Sequence, residues 1–364
     1  MASDKSTAFN GTNIWTKIRP LLALNPQKRP FGIHLTVALS VGVPALIAVW
    51  LNHFMLGVMA SLGGLASLYI RQTPLPHRMV TMALVTFGFS ASFTLSLLAG
   101  FNPWVLVLAL FFVSFLATFI CRFFVVPPPG SFFFIMIACV ASAVPFDLAL
   151  VAQRVGLLLF GCLGASLLAL IYSLVQLMAG NKHGLVAAEP TEPRVAAIFL
   201  EASTIATFIA LSYFLALWFG FDKPYWVPIS CLAILQGASF RAVWHRKIHR
   251  IVGTAIGMGL AWSIFSLNPN AWILAFLIML FSFLIEVLIT RNYGLAVICI
   301  TPLTIILAEA NSIDQDLNWL LMLRLKDVLL GSFIGYLGGG LLHQTKEYAI
   351  LEQRLQAFLA NKSH

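Results

Sequence analysis

A chain of 364 residues that is 60% hydrophobic and only 10% charged, with a mean hydropathy of +0.92, lacks the polar residues to cover a water-facing surface, because soluble domains run near 25% charged. The net charge of +9 could point to nucleic acid, but the basic residues stand in short connections between apolar runs. That placement is the signature of membrane topology, and no nucleic-acid partner is expected.

A membrane helix takes roughly 20 apolar residues. In chain order the apolar runs are 32–51, 54–70, 80–99, 103–121, 130–146 and 153–179, then 195–219, 225–239, 250–266, 271–289, 294–309 and 320–343. They predict an all-α integral membrane protein of about twelve transmembrane helices, with the runs at 130–146, 225–239 and 294–309 short. Residues 1–31 form a polar, basic N-terminal segment without a cleavable signal peptide. Residues 180–194, GNKHGLVAAEPTEPR, have the composition of a linker, and 344–364 alternate apolar and charged residues as an amphipathic tail does. With the N-terminus inside, 18 of the 22 Lys and Arg fall on the cytoplasmic side, leaving Arg154, Lys223, Arg324 and Lys326 outside. Both termini are therefore expected to be cytoplasmic.

The two halves resemble each other. Trp104 and Trp272 open helices 168 residues apart, and Arg78 and Arg250 start helices 172 apart. Arg122 and Arg291 close spans 169 apart, while Arg154 and Arg324 are 170 apart and each precedes a glycine, Gly161 or Gly331, by seven residues. Four matches at nearly one spacing predict two parallel six-helix repeats, 32–179 and 195–343, joined by the 180–194 linker.

The densest stretch lies between Pro224 and Trp262. It contains Pro224-Tyr-Trp-Val-Pro228, an apolar run, a basic loop with Arg241, Arg246 and Arg250, and then Arg250-Ile-Val-Gly-Thr-Ala-Ile-Gly257. With Thr301-Pro302, and with Arg324-Leu-Lys-Asp327 followed by Gly331-x-x-x-Gly335, this resembles the fusaric-acid-resistance-like family of bacterial inner-membrane proteins. The match is best over 195–343. The first half carries Gly63-Gly64-Leu65 and Arg71, with Thr81 and Phe87 where the second half has Gly253 and Gly259. The resemblance implies a multi-pass protein of the bacterial inner (cytoplasmic) membrane, similar to aromatic-acid exporters and more distantly to plant malate channels. Its implied activity is proton-driven export of organic anions such as aromatic carboxylates. A passive organic-anion channel and a non-transporting accessory subunit are the alternatives. Implied partners are the lipid bilayer, a small organic anion, and a second copy of the chain or a periplasmic adaptor subunit.

Charged groups inside spans are costly, about 2.5–3.5 kcal/mol at mid-helix, and so mark function more often than they do in water. Glu286 and Glu201 are candidates for proton coupling, or alternatively members of structural ion pairs, with Arg291 a possible partner for Glu286. Arg241, Arg246 and Arg250 either gather anions at a pore mouth or only fix topology. Arg154 and Arg324 could guide an anion on the outer side or form local salt bridges. Trp226, Arg291, Thr301 and Pro302 are further candidates for the substrate path, and Pro44, Pro228 and Pro302 inside spans point to freed carbonyls lining a cavity. Gly253 and Gly257, and Gly331 and Gly335, form GxxxG pairs that let helices approach closely. No phosphate loop, GxSxG or HExxH occurs, and the five cysteines sit in apolar runs without metal spacing. Neither an enzyme nor a cofactor or metal site is expected.

Overall fold

The computed structural model describes residues 23–26, 29–180, 194–309, 317–344, 350 and 353–354. The helices of its first half are α1 (Phe31–Trp50), α2 (Phe54–Gly64), α3 (Leu75–Ala99), α4 (Pro103–Phe123), α5 (Phe132–Ala141) and α6 (Leu148–Met178). Those of the second are α7 (Val195–Trp218), α8 (Trp226–Leu235), α9 (Phe240–Phe265), α10 (Ala271–Leu288), α11 (Tyr293–Glu309) and α12 (Leu317–Gln344). Among the described residues there is no strand.

Among the described residues, eight helices are long and apolar enough to cross a membrane, and α2, α5, α8 and α11 are shorter apolar helices. The twelve apolar runs thus correspond, among the described residues, to eight helices of membrane length and four shorter ones. At ~1.5 Å per residue, a ten-residue helix covers ~15 Å, about half the hydrocarbon thickness. The chain punctuates these helices itself. After Gly63-Gly64, α2 tightens into a 3-10 turn at Leu65–Tyr69. The turn Pro127–Gly130 precedes α5, and Gln236-Gly237 follows α8. The linker and most of the tail lie outside the described residues.

Helix starts also differ from the apolar runs. The basic loop expected at 241–250 is helical, forming about the first three turns of α9. Ser239 caps that helix by accepting from the Ala242 N–H at 3.3 Å, and nothing between 240 and 250 breaks it. Likewise α6 begins at Leu148 because the Asp147 carboxylate accepts from the Ala149 N–H at 3.0 Å. Charge hid the 240–250 turns from a hydropathy reading, whereas the first turn of α6, Leu148–Ala152, is itself apolar.

Helix packing has the same pattern in each half. In the first, α2 packs on α6, and α3 on α5 and α6; in the second, α8 packs on α12, and α9 on α11 and α12. Two seams join the halves, α1 against α10 and α4 against α7. Small residues make the tightest contacts possible. A Cβ on Gly161 would lie 1.8 Å from the Ala60 carbonyl oxygen, and one on Gly331 2.2 Å from that of Val227. On Gly335 it would meet the Cys231 carbonyl at 2.7 Å, and on Gly253 the Gly294 carbonyl at 2.8 Å. Backbones touch at these positions, where side-chain packing cannot supply a hydrophobic drive in lipid.

Proline and glycine act together at two crossings. Pro44 in α1 has no N–H for the Ser40 carbonyl, and a Cβ on Gly64 of α2 would sit 2.2 Å from that oxygen. Pro302 in α11 likewise frees the Ile298 carbonyl, which lies 2.7 Å from a Cβ built on Gly257 of α9. Pro228 differs, because it occupies the first turn of α8, where its N–H would have no helical acceptor.

Several side chains fasten one end of the bundle. Arg29 donates to the Leu68 carbonyl at 3.1 Å, Arg71 to that of Pro127 at 2.6 Å, and Arg246 to that of Ala233 at 3.3 Å. Tyr69 donates to the Gly130 carbonyl at 2.6 Å and His343 to that of Gly237 at 3.0 Å. This basic end is where α3 and α9 begin and α4 and α10 finish.

Candidate functional site

The four short helices meet between the halves, α5 against α8 and α2 against α11. A cavity of about 380 Å3 lies there, with side chains of α1, α2, α5, α8, α9, α10 and α11 in its wall. The wall is mainly apolar and aromatic, with Phe132, Phe133, Trp226 and Tyr293 among its members. Its charged groups are Arg29, Arg246, Arg250 and Glu286. A cavity of this size, apolar but with a few convergent charges, is what a small amphiphilic ligand requires.

Glu286, in the last turn of α10, is 2% exposed. Its carboxylate pairs with Arg29, which enters from the segment before α1, and it also lies 3.9 Å from His34 Nδ1. The partner considered from sequence, Arg291, instead offers its backbone carbonyl to the Asn25 N–H at 3.0 Å. Asn292 Nδ2 donates to the Ala23 carbonyl at 3.2 Å, so Ala23 and Asn25 lie along the α10–α11 junction. Arg29 thus binds Leu68 of the first half and Glu286 of the second. Sequence reading missed it because it precedes the first apolar run and looks like one more topological charge.

Arg246 and Arg250 are one helical turn apart on α9 and both line the cavity. Arg246 lies 4.9 Å from the Tyr293 ring centroid, a cation–π distance. Arg250 is 4% exposed, and among the described residues its guanidinium makes one hydrogen bond, to Ser230 Oγ at 3.3 Å. Its Nε is buried without a partner. Arg78, matched to it by spacing, is far more occupied. It donates to the Arg71 and Thr73 carbonyls at 2.8 and 2.9 Å and to Ser173 Oγ, and lies over the Tyr172 ring. One arginine ties down a loop, whereas the other faces open space.

The remaining candidates fall outside the cavity or form its backing. Glu201 pairs with Arg122 at 2.6 Å across the α4–α7 seam, partly exposed and away from the cavity. Arg241 is exposed on the first turn of α9. Arg154 donates to the Pro145 carbonyl at 2.6 Å, while its expected partner Asp147 caps α6. Arg324, expected on the outer side, is 3% exposed. Its guanidinium lies over the Trp226 ring, 3.1 Å from the centroid, and donates to Thr304 Oγ1 at 2.9 Å. Trp226 and Thr304 line the cavity, so Arg324 stands directly behind that wall. Thr301 is buried against Gly257 and donates to the Val297 carbonyl at 2.9 Å, which makes it and Pro302 part of the α9–α11 contact. Among the described residues no three His, Cys, Asp or Glu gather as a metal site.

Eight membrane-length helices among the described residues, with a partly charged internal cavity between α1, α9, α10 and the short helices, define a multi-pass α-helical membrane protein. Residues 209–338, from within α7 to within α12, match the sequence model of the family described as fusaric acid resistance protein-like. The resemblance to that family is therefore established for the second half, which contributes Arg246, Arg250 and Glu286 to the cavity. The uncharacterized membrane protein YvaC of Bacillus subtilis (strain 168) is 39% identical over 127 residues, 35% of this chain. The chain spans only 20% of that relative's length. No solved structure matches.

Proposed function

We propose that this protein carries organic anions, aromatic carboxylates among them, across a bacterial inner membrane through the cavity between its halves. The observation that carries this reading is the pairing of apolar and aromatic walls with two arginines, Arg246 and Arg250, that have no carboxylate partner among the described residues. An aromatic body would lie against Phe132, Phe133 and Trp226, and its carboxylate would be drawn to the guanidinium pair on α9. Bidentate guanidinium–carboxylate bonding favours arginine for such a task.

The two sets of six helices act in this scheme as parallel copies that rock about the α1–α10 and α4–α7 seams, with the short helices lining the path. Their matching packing patterns support this reading, and short, broken helices beside a central site are a recurrent solution in secondary transporters. Glu286 is the proton-coupling group, since it lines the cavity and Glu201 does not. A proton arriving on Glu286 weakens its hold on Arg29, and an anion can then take the carboxylate's place. The chemistry is transport rather than catalysis.

The test is uptake by proteoliposomes of radiolabelled benzoate, salicylate and 4-hydroxybenzoate, with and without an imposed proton gradient. Wild-type protein is expected to concentrate at least one of them when the gradient is present. Glu286→Gln should abolish gradient-driven accumulation while leaving exchange of labelled for unlabelled anion. Accumulation by that variant at the wild-type rate would refute its coupling role. Flux that follows membrane potential alone would identify a channel, and no flux from any probe would leave the accessory-subunit reading.

A further inference from the structure

A second cavity, of about 320 Å3, lies beside the first and is lined by Met55, Met59, Pro145, Gln153 and Arg154. Three side chains belong to the walls of both cavities: Leu62 of α2, Val140 of α5 and Leu307 of α11. Leu62 and Val140 are 7% and 8% exposed, and Leu307 is partly buried. The partition is therefore one layer of aliphatic side chains, contributed by short helices of both halves. No polar atom in that layer could replace the hydration of a carboxylate, and a narrow apolar ring of this kind stays dry and blocks ions.

The two cavities carry positive charge on opposite sides of the layer. Arg246 and Arg250 lie in the larger one, and Arg154 in the smaller. Arg324, matched to Arg154 by sequence spacing, lines neither; it is buried behind Trp226. The charges thus flank the shared layer, and the smaller cavity is lined mainly by side chains of the first half.

We propose that Leu62, Val140 and Leu307 form the closed gate of a single anion path, and that Arg154 is the carboxylate subsite beyond it. This rests on the cavity being an anion path. In each crossing the anion is released by the α9 arginines, passes when α11 draws back from α2 and α5, and is received by Arg154. Specificity follows from the gate: a flat aromatic ring needs a slot only one ring thick, whereas a bulkier body needs all three side chains displaced.

The experiment uses the full chain in liposomes and follows chloride and benzoate under an imposed membrane potential. The Leu62→Ala/Leu307→Ala variant should raise the leak of both anions at least about tenfold, as expected when an apolar constriction wets. Leu106→Ala, buried on α4 and lining neither cavity, should stay at the wild-type level. Leu307→Trp should slow benzoate flux at least about tenfold, because a rigid indole in the layer cannot clear the path. If the double variant does not elute as a single folded species, Leu62→Ala alone and Leu307→Trp decide. Wild-type leak in the alanine variants together with wild-type flux in Leu307→Trp overturns the gate. If the wild type moves no benzoate and the alanine variant still leaks chloride, the gate stands and the transport reading falls. Normal wild-type transport that none of these variants alters removes the gate alone.

Discussion

Arg78 and Arg250 show how far residue type and spacing lead before environment takes over. Sequence spacing places both at the start of a helix and gives them equal weight, whereas in the structure Arg250 lies about three turns into α9 and Arg78 in the first turn of α3. Arg78 has its donors directed at two part-buried carbonyls and a serine, so Arg78→Ala removes three hydrogen bonds to a charged group at once. We expect that variant to lose at least about 2 kcal/mol of stability, measured as a lower midpoint of thermal unfolding in detergent. Arg250→Ala, giving up one long hydrogen bond, should unfold close to the wild-type temperature and bind benzoate about tenfold more weakly. Equal losses of stability in the two variants would contradict this division of roles. For Arg29 and Glu286 the sign of coupling is the test. Arg29→Ala strands a buried carboxylate and should destabilise by about 3 kcal/mol, the lower end for a broken buried pair because Arg29 is itself 24% exposed. Adding Glu286→Gln to Arg29→Ala should restore part of the loss, and strict additivity would show that the pair is not coupled. The carboxylate was legible from sequence as a charge inside an apolar run. Its partner was not, because the two are 257 residues apart and only the fold brings them together.

The helices themselves were recognisable by hydropathy, but their ends were not, for two physical reasons. Charged turns such as 240–250 continue a helix without adding hydropathy, and short helices such as α5 and α8 are apolar runs cut by proline and glycine. The glycines were legible as packing positions, but their counterparts required coordinates. Nothing in the sequence shows that Gly64 faces the carbonyl released by Pro44, or Gly257 the one released by Pro302. The environments separate glycines that look alike. Gly64→Ala and Gly161→Ala place a methyl within 2.2 and 1.8 Å of a backbone oxygen. Gly164→Ala and Gly259→Ala meet nothing within 4 Å. The first two should lose most of the monodisperse fraction in size-exclusion chromatography, and the second two should retain it. A normal profile for Gly161→Ala would disprove close packing between α2 and α6.

For the molecule as a whole, the sequence suggested two similar halves but not how they are joined. The seams are reciprocal: the first helix of each half packs on the fourth helix of the other. Aromatic contacts reinforce them, with Phe31 against Phe283 at 5.7 Å in one and Phe115 against Phe199 at 5.3 Å in the other. An interface so built does not rely on the linker for its register. Residues 1–186 and 187–364, co-expressed as separate chains with a tag on one only, should therefore purify together from membranes. Recovery of the tagged part alone would show that the linker, rather than the seams, holds the halves.

Arg29 gives this arrangement a lock. Its guanidinium holds Leu68 on one half and Glu286 on the other, and it belongs to neither set of six helices. No motion can part those two residues without first unhooking one end of a single side chain. The clasp between the halves thus hangs on one cavity-wall side chain that precedes the first helix and keeps 24% of its surface exposed, so a change there acts on both halves at once.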